Sequence, residues 1–226
     1  DLTLDSGKVA VKGEIFSKEL KKLNGKGKPE LMSPIDQQGQ HSYNMSPTGK
    51  WAIHTFGSST TAPIVTMEKF PEAKAVRVIQ DNTDAQERFN KLNLTPKEFI
   101  KLDLGYITLD AYMIKPKDFD PNKKYPVIID VYAEPAGSTV QDNWTGGDIA
   151  AHNQADKGYI MVSIENRGAN VPRGREWRKC IYKQIGIHAS ADQAAGIKKM
   201  GEMFPFIDMS RIGITGWSGG GSTTLQ

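Results

Sequence analysis

A single cysteine, no long apolar run and no dense block of one charge mark this 226-residue sequence. Cys180 alone cannot close an internal disulfide, which excludes the disulfide-stapled scaffolds. It sits in Arg178-Lys179-Cys180 without the local signature of a thiol peptidase, so it is not read as a nucleophile. No stretch approaches the ~18 consecutive apolar residues of a membrane-spanning helix. The 29 basic and 26 acidic side chains leave a net charge of +3 scattered along the chain, which gives no support to a nucleic-acid footprint. No histidine, cysteine or carboxylate cluster has ligand spacing, so neither a metal nor an organic cofactor is implied. What is present is a composition of 38% hydrophobic and 24% charged residues, ordinary for a globular chain with one large domain or one domain and part of another. The chain starts Asp1-Leu2-Thr3 without methionine and stops at Thr224-Leu225-Gln226 inside an expected helix, so a piece of a longer protein is expected.

Two kinds of text follow one another. From residue 1 to about 95, short apolar alternations are broken by turn signals, which predicts β structure. Lys8 to Lys12 and Glu14 to Phe16 form one strand region, and Asn24 to Pro29 is a turn-rich break. His41 to Phe56 reads as a hairpin about Ser46-Pro47-Thr48-Gly49, where proline sets φ and glycine accepts a positive one. Ala62 to Met67 and Ala75 to Ile79 continue the series, a spacing that suits a propeller or a sandwich and does not separate them. The polar stretch from Asp81 ends at Leu94-Thr95-Pro96, where the boundary is placed.

Beyond residue 96 strands alternate with helices. Tyr106 to Ile114 alternates like a half-exposed strand, while Tyr125 to Tyr132 and Tyr159 to Ile164 are continuous apolar runs of the kind buried on both faces of a parallel sheet. Ser190 is expected to cap a helix bearing Ala194, Ile197, Met200, Gly201 and Phe204 on one face, and Arg211 to Gly216 to return as a strand. This is an α/β sheet. A chain ending at residue 226 is expected to expose apolar sheet edges at Val127 to Val131 and Ile212 to Ile214.

The last strand runs into Gly216-Trp217-Ser218-Gly219-Gly220, a match to G-x-S-x-G with a strand before it and a helix start behind. The serine of such an elbow sits on a strained backbone that passes close to itself, which demands small residues on either side; Gly216 and Gly220 supply them. The competing reading is a glycine loop cradling a phosphate, but no G-K-[ST] follows and G-x-G-x-x-G does not fit.

In order, YPVIIDVYAEP (Tyr125 to Pro135), ENRG (Glu165 to Gly168), RGREW (Arg173 to Trp177) and GWSGGG (Gly216 to Gly221) resemble the dipeptidyl peptidase IV branch of the prolyl oligopeptidase-type serine peptidases. The β half is similar to the tail of that family's propeller, including the Ser46-to-Lys50 turn, and the resemblance covers essentially the whole chain. It implies a mixed β and α/β fold: C-terminal propeller blades over 1–95, then over 96–226 the N-terminal part of an α/β-hydrolase domain cut off after the elbow.

The resemblance makes Ser218 the acylating nucleophile, with the Tyr132 hydroxyl and the Gly219 backbone N–H as oxyanion donors. It implies release of N-terminal dipeptides after proline or alanine from peptides with a free N-terminus. It further suggests a bacterial periplasmic or cell-surface location and a homodimer of the full-length protein. Arg167 and Arg173 to Arg178 are read as structural ion-pair partners, and Trp144 and Trp177 as packing residues.

Two departures stand out. The family's tyrosine after the serine is Gly219 here, which leaves one wall of the proline pocket either missing or supplied from elsewhere. All four histidines, His41, His54, His152 and His188, precede Ser218, whereas a hydrolase triad runs serine, acid, histidine. The triad acid and base are therefore expected beyond residue 226, the glutamates that grip the substrate's amino terminus before residue 1, and the piece alone is expected to be inactive. The alternatives are an acylaminoacyl peptidase or esterase on the same fold, or a hydrolase-like binding protein without catalysis.

Overall fold

The computed structural model describes residues 9–13, 18–23, 29–34, 36–135, 137–146 and 148–226, with side chains from Met32 onward. Two compact units divide the chain: Asp1–Asn93 with Gln141–Gly147, and Leu94–Val140 with Asp148–Gln226. Relative to the boundary expected at 95/96, the division falls two residues earlier, and a loop of the second half belongs to the first unit. Specific contacts hold that loop: the Ser59 backbone N–H and Oγ donate to Asp142 Oδ1 at 2.8 and 2.7 Å, and Trp144 packs on Phe89 with ring centroids 4.8 Å apart.

The first unit is built of antiparallel meanders. Strands β1 (Val9–Gly13), β2 (Lys18–Leu23) and β3 (Pro29–Leu31) form one sheet, and β4 (Gln40–Met45), β5 (Trp51–Gly57), β6 (Ile64–Lys69) and β7 (Lys74–Gln80) form another in sequential order. The expected Glu14–Phe16 strand and most of the break after Asn24 lie outside the described residues. The β4–β5 turn closes as its sequence dictates: Gly49 takes φ 66° and donates to the Ser46 carbonyl at 2.9 Å, and Ser46 N–H donates to Trp51 at 2.8 Å.

Period-2 alternation turns Ala52, His54 and Phe56 of β5 inward, so this sheet buries imidazole as well as hydrocarbon. Helix α1 (Thr83–Leu92) buries no side chain and is tied down by polar bonds instead. Gln86 accepts from Ala62 N–H at 2.7 Å and donates to the Thr60 carbonyl at 3.0 Å, and Asn82 donates to Pro63 at 2.6 Å.

The second unit is a five-stranded sheet. Its strands are β8 (Glu98–Asp103), β9 (Thr108–Ile114), β10 (Tyr125–Val131), β11 (Ile160–Glu165) and β12 (Ile207–Gly216), in the order β12-β10-β11-β9-β8. β10 runs parallel to both β11 and β12, while β9 is antiparallel to β11 and to β8. The sequence did not announce β8, of which only Leu102 is fully inward. β9, expected half-exposed, is buried from Leu109 to Ile114 because it lies between two strands. β10 is likewise interior rather than an edge, with Val127, Ile129 and Val131 at most 3% exposed; the edge strands are β12 and β8.

Among the described residues four helices complete this unit: α2 (Ile149–Ala155), α3 (Gly174–Lys179), α4 (Ile187–Met203) and α5 (Gly219–Thr224). Among the described residues none is long and apolar enough to cross a membrane. α4 begins three residues before Ser190, after Gly186, so Ser190 is not its cap; the Ser190 hydroxyl donates back to the Gly186 carbonyl at 2.8 Å. Its inward face runs through Ala189, Asp192, Gln193, Gly196, Ile197 and Met200, which leaves Ala194 exposed, and Phe204 ends the helix in extended geometry. Gln193 donates to the Ile164 carbonyl at 2.8 Å, and Gly196 lets α4 lie against the Ile164 side chain. Fully buried Leu102, Leu109, Met113, Ile114, Ile160 and Ile164 each contribute about 1.5–3 kcal/mol by leaving water.

Candidate active site

Parallel β10 and β12 end side by side, with Val131 paired to Gly216. β12 then turns at once into α5, and the residue at the turn is Ser218, whose backbone takes φ 54° and ψ −116°. A non-glycine residue at positive φ outside the left-handed helical well stores about 1–3 kcal/mol of strain. The surroundings enforce it. A Cβ on Gly216 would come within 2.5 Å of the Val131 carbonyl oxygen and of Gly220 backbone, and one on Gly220 would overlap the same carbonyl and stand 3.1 Å from Tyr132 Cα. Both elbow glycines are therefore required by backbone packing, and the result is an exposed Ser218 at the C-terminal edge of the sheet. Trp217 beside it is 86% exposed.

Tyr132 follows β10 directly, half-buried, with its ring packed against Gly137, where a Cβ would fall 2.6 Å from Cδ1. The loop that carries it is tied down. Gly137 N–H donates to the Glu134 carbonyl at 3.2 Å, Asn170 N–H donates to Gly137 at 3.0 Å, and Ser163 Oγ bridges the Asp130 carbonyl and the Thr139 hydroxyl at 2.9 Å each.

Glu165, the last residue of β11, gathers the rest: one carboxylate oxygen accepts from Ser138 Oγ at 2.5 Å and from Thr139 and Val140 N–H at 3.0 and 3.1 Å. Burial pushes this carboxyl up to about 7 against the pull of those three donors, with the nearby Asp110 carboxylate adding to the rise. Gly219, at the start of α5, has the Glu134 side chain lying on it, in the space where a Cβ would project.

The structure thus brings Gly216, Ser218, Gly219 and Gly220 together with the Tyr132 loop at one sheet end. The histidines are occupied elsewhere. His41 and His54 belong to the first unit: His41 Nε2 bonds the Gln37 carbonyl at 2.8 Å, His41 Nδ1 meets His54 Nε2 at 2.9 Å, and His54 Nδ1 meets Glu68 Oε1 at 2.6 Å. His152 bonds the Thr95 and Asp148 carbonyls at 2.8 and 3.2 Å, and His188 lies in the first turn of α4.

Arg167 grips the fully buried Asp192 through its side chain at 2.8–3.1 Å and its own N–H at 2.8 Å. Arg173 donates to the Thr108 carbonyl at 2.6 Å and lies 3.9 Å over the buried Trp177 ring. Cys180 shares a hydrogen bond with the Trp177 carbonyl at 3.1 Å, and burial pushes its thiol up, away from nucleophilic character. The sequence reading passed over Glu134 and Glu165. Glu165 could have been noticed as a charged end to an apolar run, whereas nothing in the spacing announces the contact of Glu134 with Gly219.

Comparison with known proteins follows the same lines. Residues 149–226 match the Prolyl oligopeptidase family. The chain is 30% identical over 196 residues to the protein named "Probable dipeptidyl-aminopeptidase B" of Emericella nidulans, covering 86% of this chain and 21% of that protein. It is 30% identical over 163 residues to human "Prolyl endopeptidase FAP", covering 70% and 20%. The crystal structure of Porphyromonas gingivalis dipeptidyl peptidase 4 superposes with a TM-score of 0.85 at 31% identity, over 99% of this chain and 33% of that one. The chain therefore spans about a fifth to a third of the length of the relatives it matches. With this sequence likeness, the structural match and a serine elbow at the end of β12, the chain belongs to the prolyl oligopeptidase family, and its likeness is to members named for the dipeptidyl peptidase IV type, of which it spans a part.

Proposed function

We propose that this chain carries the nucleophile of a serine exopeptidase that removes dipeptides from free peptide N-termini, and that Ser218 is the acylating residue. In this reading the first unit supplies terminal propeller blades and the second the start of the α/β-hydrolase domain. The observation that carries the proposal is the Ser218 backbone at φ 54°, ψ −116°, held between two glycines that backbone packing requires. Such strain at an exposed serine supports a catalytic role, because it presents the hydroxyl at the tip of a turn that packing over-determines.

Ser218 Oγ attacks the scissile carbonyl carbon, its proton passing to a general base, and the carbonyl oxygen becomes an oxyanion. The Tyr132 hydroxyl and the Gly219 N–H are assigned to that oxygen, each from a backbone position fixed against the elbow. Collapse expels the amine and leaves an acyl-Ser218 ester, which water hydrolyses. The histidines of this chain are engaged elsewhere or stand at the start of α4, so the base and its orienting acid are assigned to parts of the protein beyond these residues. The 226-residue chain by itself is then inactive.

A second reading, a broader acyl hydrolase, draws support from Gly219, which leaves no side chain where the family's tyrosine lines the proline pocket. Turnover of Gly-Pro, Ala-Ala and N-acetylated chromogenic substrates by the full-length protein, beside Ser218→Ala, separates these readings. Ser218-dependent cleavage confined to substrates with a free amino terminus is expected. Equal cleavage of N-acetylated substrates would favour the broader hydrolase, and no cleavage of any would overturn both.

A further inference from the structure

One acidic group at the elbow has no part in acyl transfer. Glu134 is half-buried in the loop after β10, and its side chain fills the volume that a residue larger than glycine at position 219 would enter. A Cβ there would lie 2.5 Å from Glu134 Cδ and closer still to Oε1 and Cγ. A side chain at 219 would oblige the Glu134 carboxylate to leave this place against the residue that follows the nucleophile. The loop backbone that carries Glu134 is pinned through Gly137, Asn170 and Glu165. Among the described residues no lysine, arginine or histidine forms an ion pair with it.

A carboxylate next to a serine whose attack generates an oxyanion is unfavourable in itself, since the two negative charges repel as the transition state forms. A positive charge brought in by the substrate reverses the sign: it is attracted to the carboxylate, and it offsets the repulsion most when the oxyanion is developed. We propose that Glu134 is a specificity-determining residue that selects substrates bringing a positive charge to the acyl side of the scissile bond. This rests on the reading of Ser218 as nucleophile. Two sources supply such a charge, a lysine or arginine side chain in the residue whose carbonyl is attacked, or the substrate's own α-ammonium group.

The test uses the full-length protein with p-nitroanilides of Gly-Lys, Gly-norleucine and Gly-Pro, and of alanine with and without an N-acetyl group. Wild type is compared with Glu134→Gln and with the swap Glu134→Gly/Gly219→Tyr. A side-chain source is expected to give Gly-Lys a kcat/KM about ten- to a hundredfold above the near-isosteric Gly-norleucine, a ratio that falls toward one in Glu134→Gln. An α-ammonium source gives instead a penalty of that size on acetylation, which Glu134→Gln removes. Gly219→Tyr alone is expected to lose Ser218 labelling by a fluorophosphonate, and the swap to regain it with a shift toward Gly-Pro.

A uniform loss on every substrate in Glu134→Gln would overturn the proposal, because a merely structural residue does not discriminate by charge. Should that variant fail to fold, the wild-type Gly-Lys to Gly-norleucine ratio decides; if it does not differ from one, or does not shrink with added salt, the proposal falls. Ser218-dependent labelling with a flat panel sinks this inference alone, and absence of labelling sinks it together with the function proposed above.

Discussion

The central sheets of the two units bury different chemistry with the same alternation rule. In the second unit, β9, β10 and β11 turn Leu109, Met113, Val127, Ile129, Ile160, Val162 and Ile164 inward, a mainly hydrocarbon core interrupted by Asp110, Ser163 and Glu165. In the first, β4 to β6 turn in Ala52 and Phe56 together with His41, His54 and Glu68, and Phe70 follows just after β6. Three hydrogen bonds link the Gln37 carbonyl, His41, His54 and Glu68 in one buried polar chain, and Tyr43 stacks on His54 with ring centroids 4.2 Å apart. Burial pushes the Tyr43 phenol up to about 12. A hydrocarbon core tolerates the loss of one member in proportion to the cavity left; a polar chain loses its compensation when any link goes.

The sharpest contrast lies at the elbow, where backbone rather than side chains is packed. Gly220→Ala is expected to cost more than about 4 kcal/mol or to prevent folding, since its Cβ overlaps the Val131 carbonyl. Gly221→Ala, one residue on and 3.4 Å from the Gly216 carbonyl, is expected to be neutral or to stabilise by up to about 1 kcal/mol as a helical alanine. Urea denaturation of the full-length variants measures both, and equal effects would remove the claim that the elbow is over-determined by backbone contacts.

Next in size, His54→Ala is expected to destabilise by about 3–5 kcal/mol, because it strands Glu68 as a buried unpaired carboxylate. The double variant His54→Ala/Glu68→Ala should recover part of that loss. In the second unit, Ile164→Ala should cost about 2–5 kcal/mol with no such recovery from a partner change. Hydrogen exchange across β4–β6 and β9–β11 reports each effect in its own sheet. A double variant that is simply additive would contradict the polar-chain account.

The smallest effect is a pH dependence. The Glu165 carboxyl is pushed from the usual 4.5 to about 7, so folding favours its protonated form. The stability this adds is fully present below about pH 4.5 and is lost as the pH rises through about 7. Glu165→Gln keeps an acceptor and abolishes the ionisation, so its stability relative to wild type should improve between pH 5 and pH 8, by about 2–3 kcal/mol at most. Parallel stability curves for the two proteins over that window would contradict the assignment.

Much of this was legible in the sequence, and the reasons differ by element. The Ser46-to-Gly49 turn, the apolar runs of β10 and β11 and the glycines about Ser218 each carry a local signal that tertiary packing leaves unchanged. β8 was missed because Glu98 to Asp103 presents one inward leucine and no run, and it forms only by pairing with β9. The start of α4 was misplaced because Ser190 has cap chemistry, yet the helix is entered at Gly186 with φ 90°. The return of 141–147 to the first unit depends on Asp142 meeting Ser59, 83 positions away, which no composition cue foretells. The contact of Glu134 with Gly219 is of the same kind: two residues far apart in the chain that β10 and β12 bring together by lying side by side.

The most direct test of the central claim is to treat the full-length protein with a fluorophosphonate serine probe and map the adduct by peptide mass spectrometry. A single stoichiometric adduct on Ser218, absent from Ser218→Ala and from heat-unfolded protein, is the expected result. A folded protein in which Ser218 stays unmodified, or in which the adduct lies on another serine, would contradict the assignment of Ser218 as nucleophile.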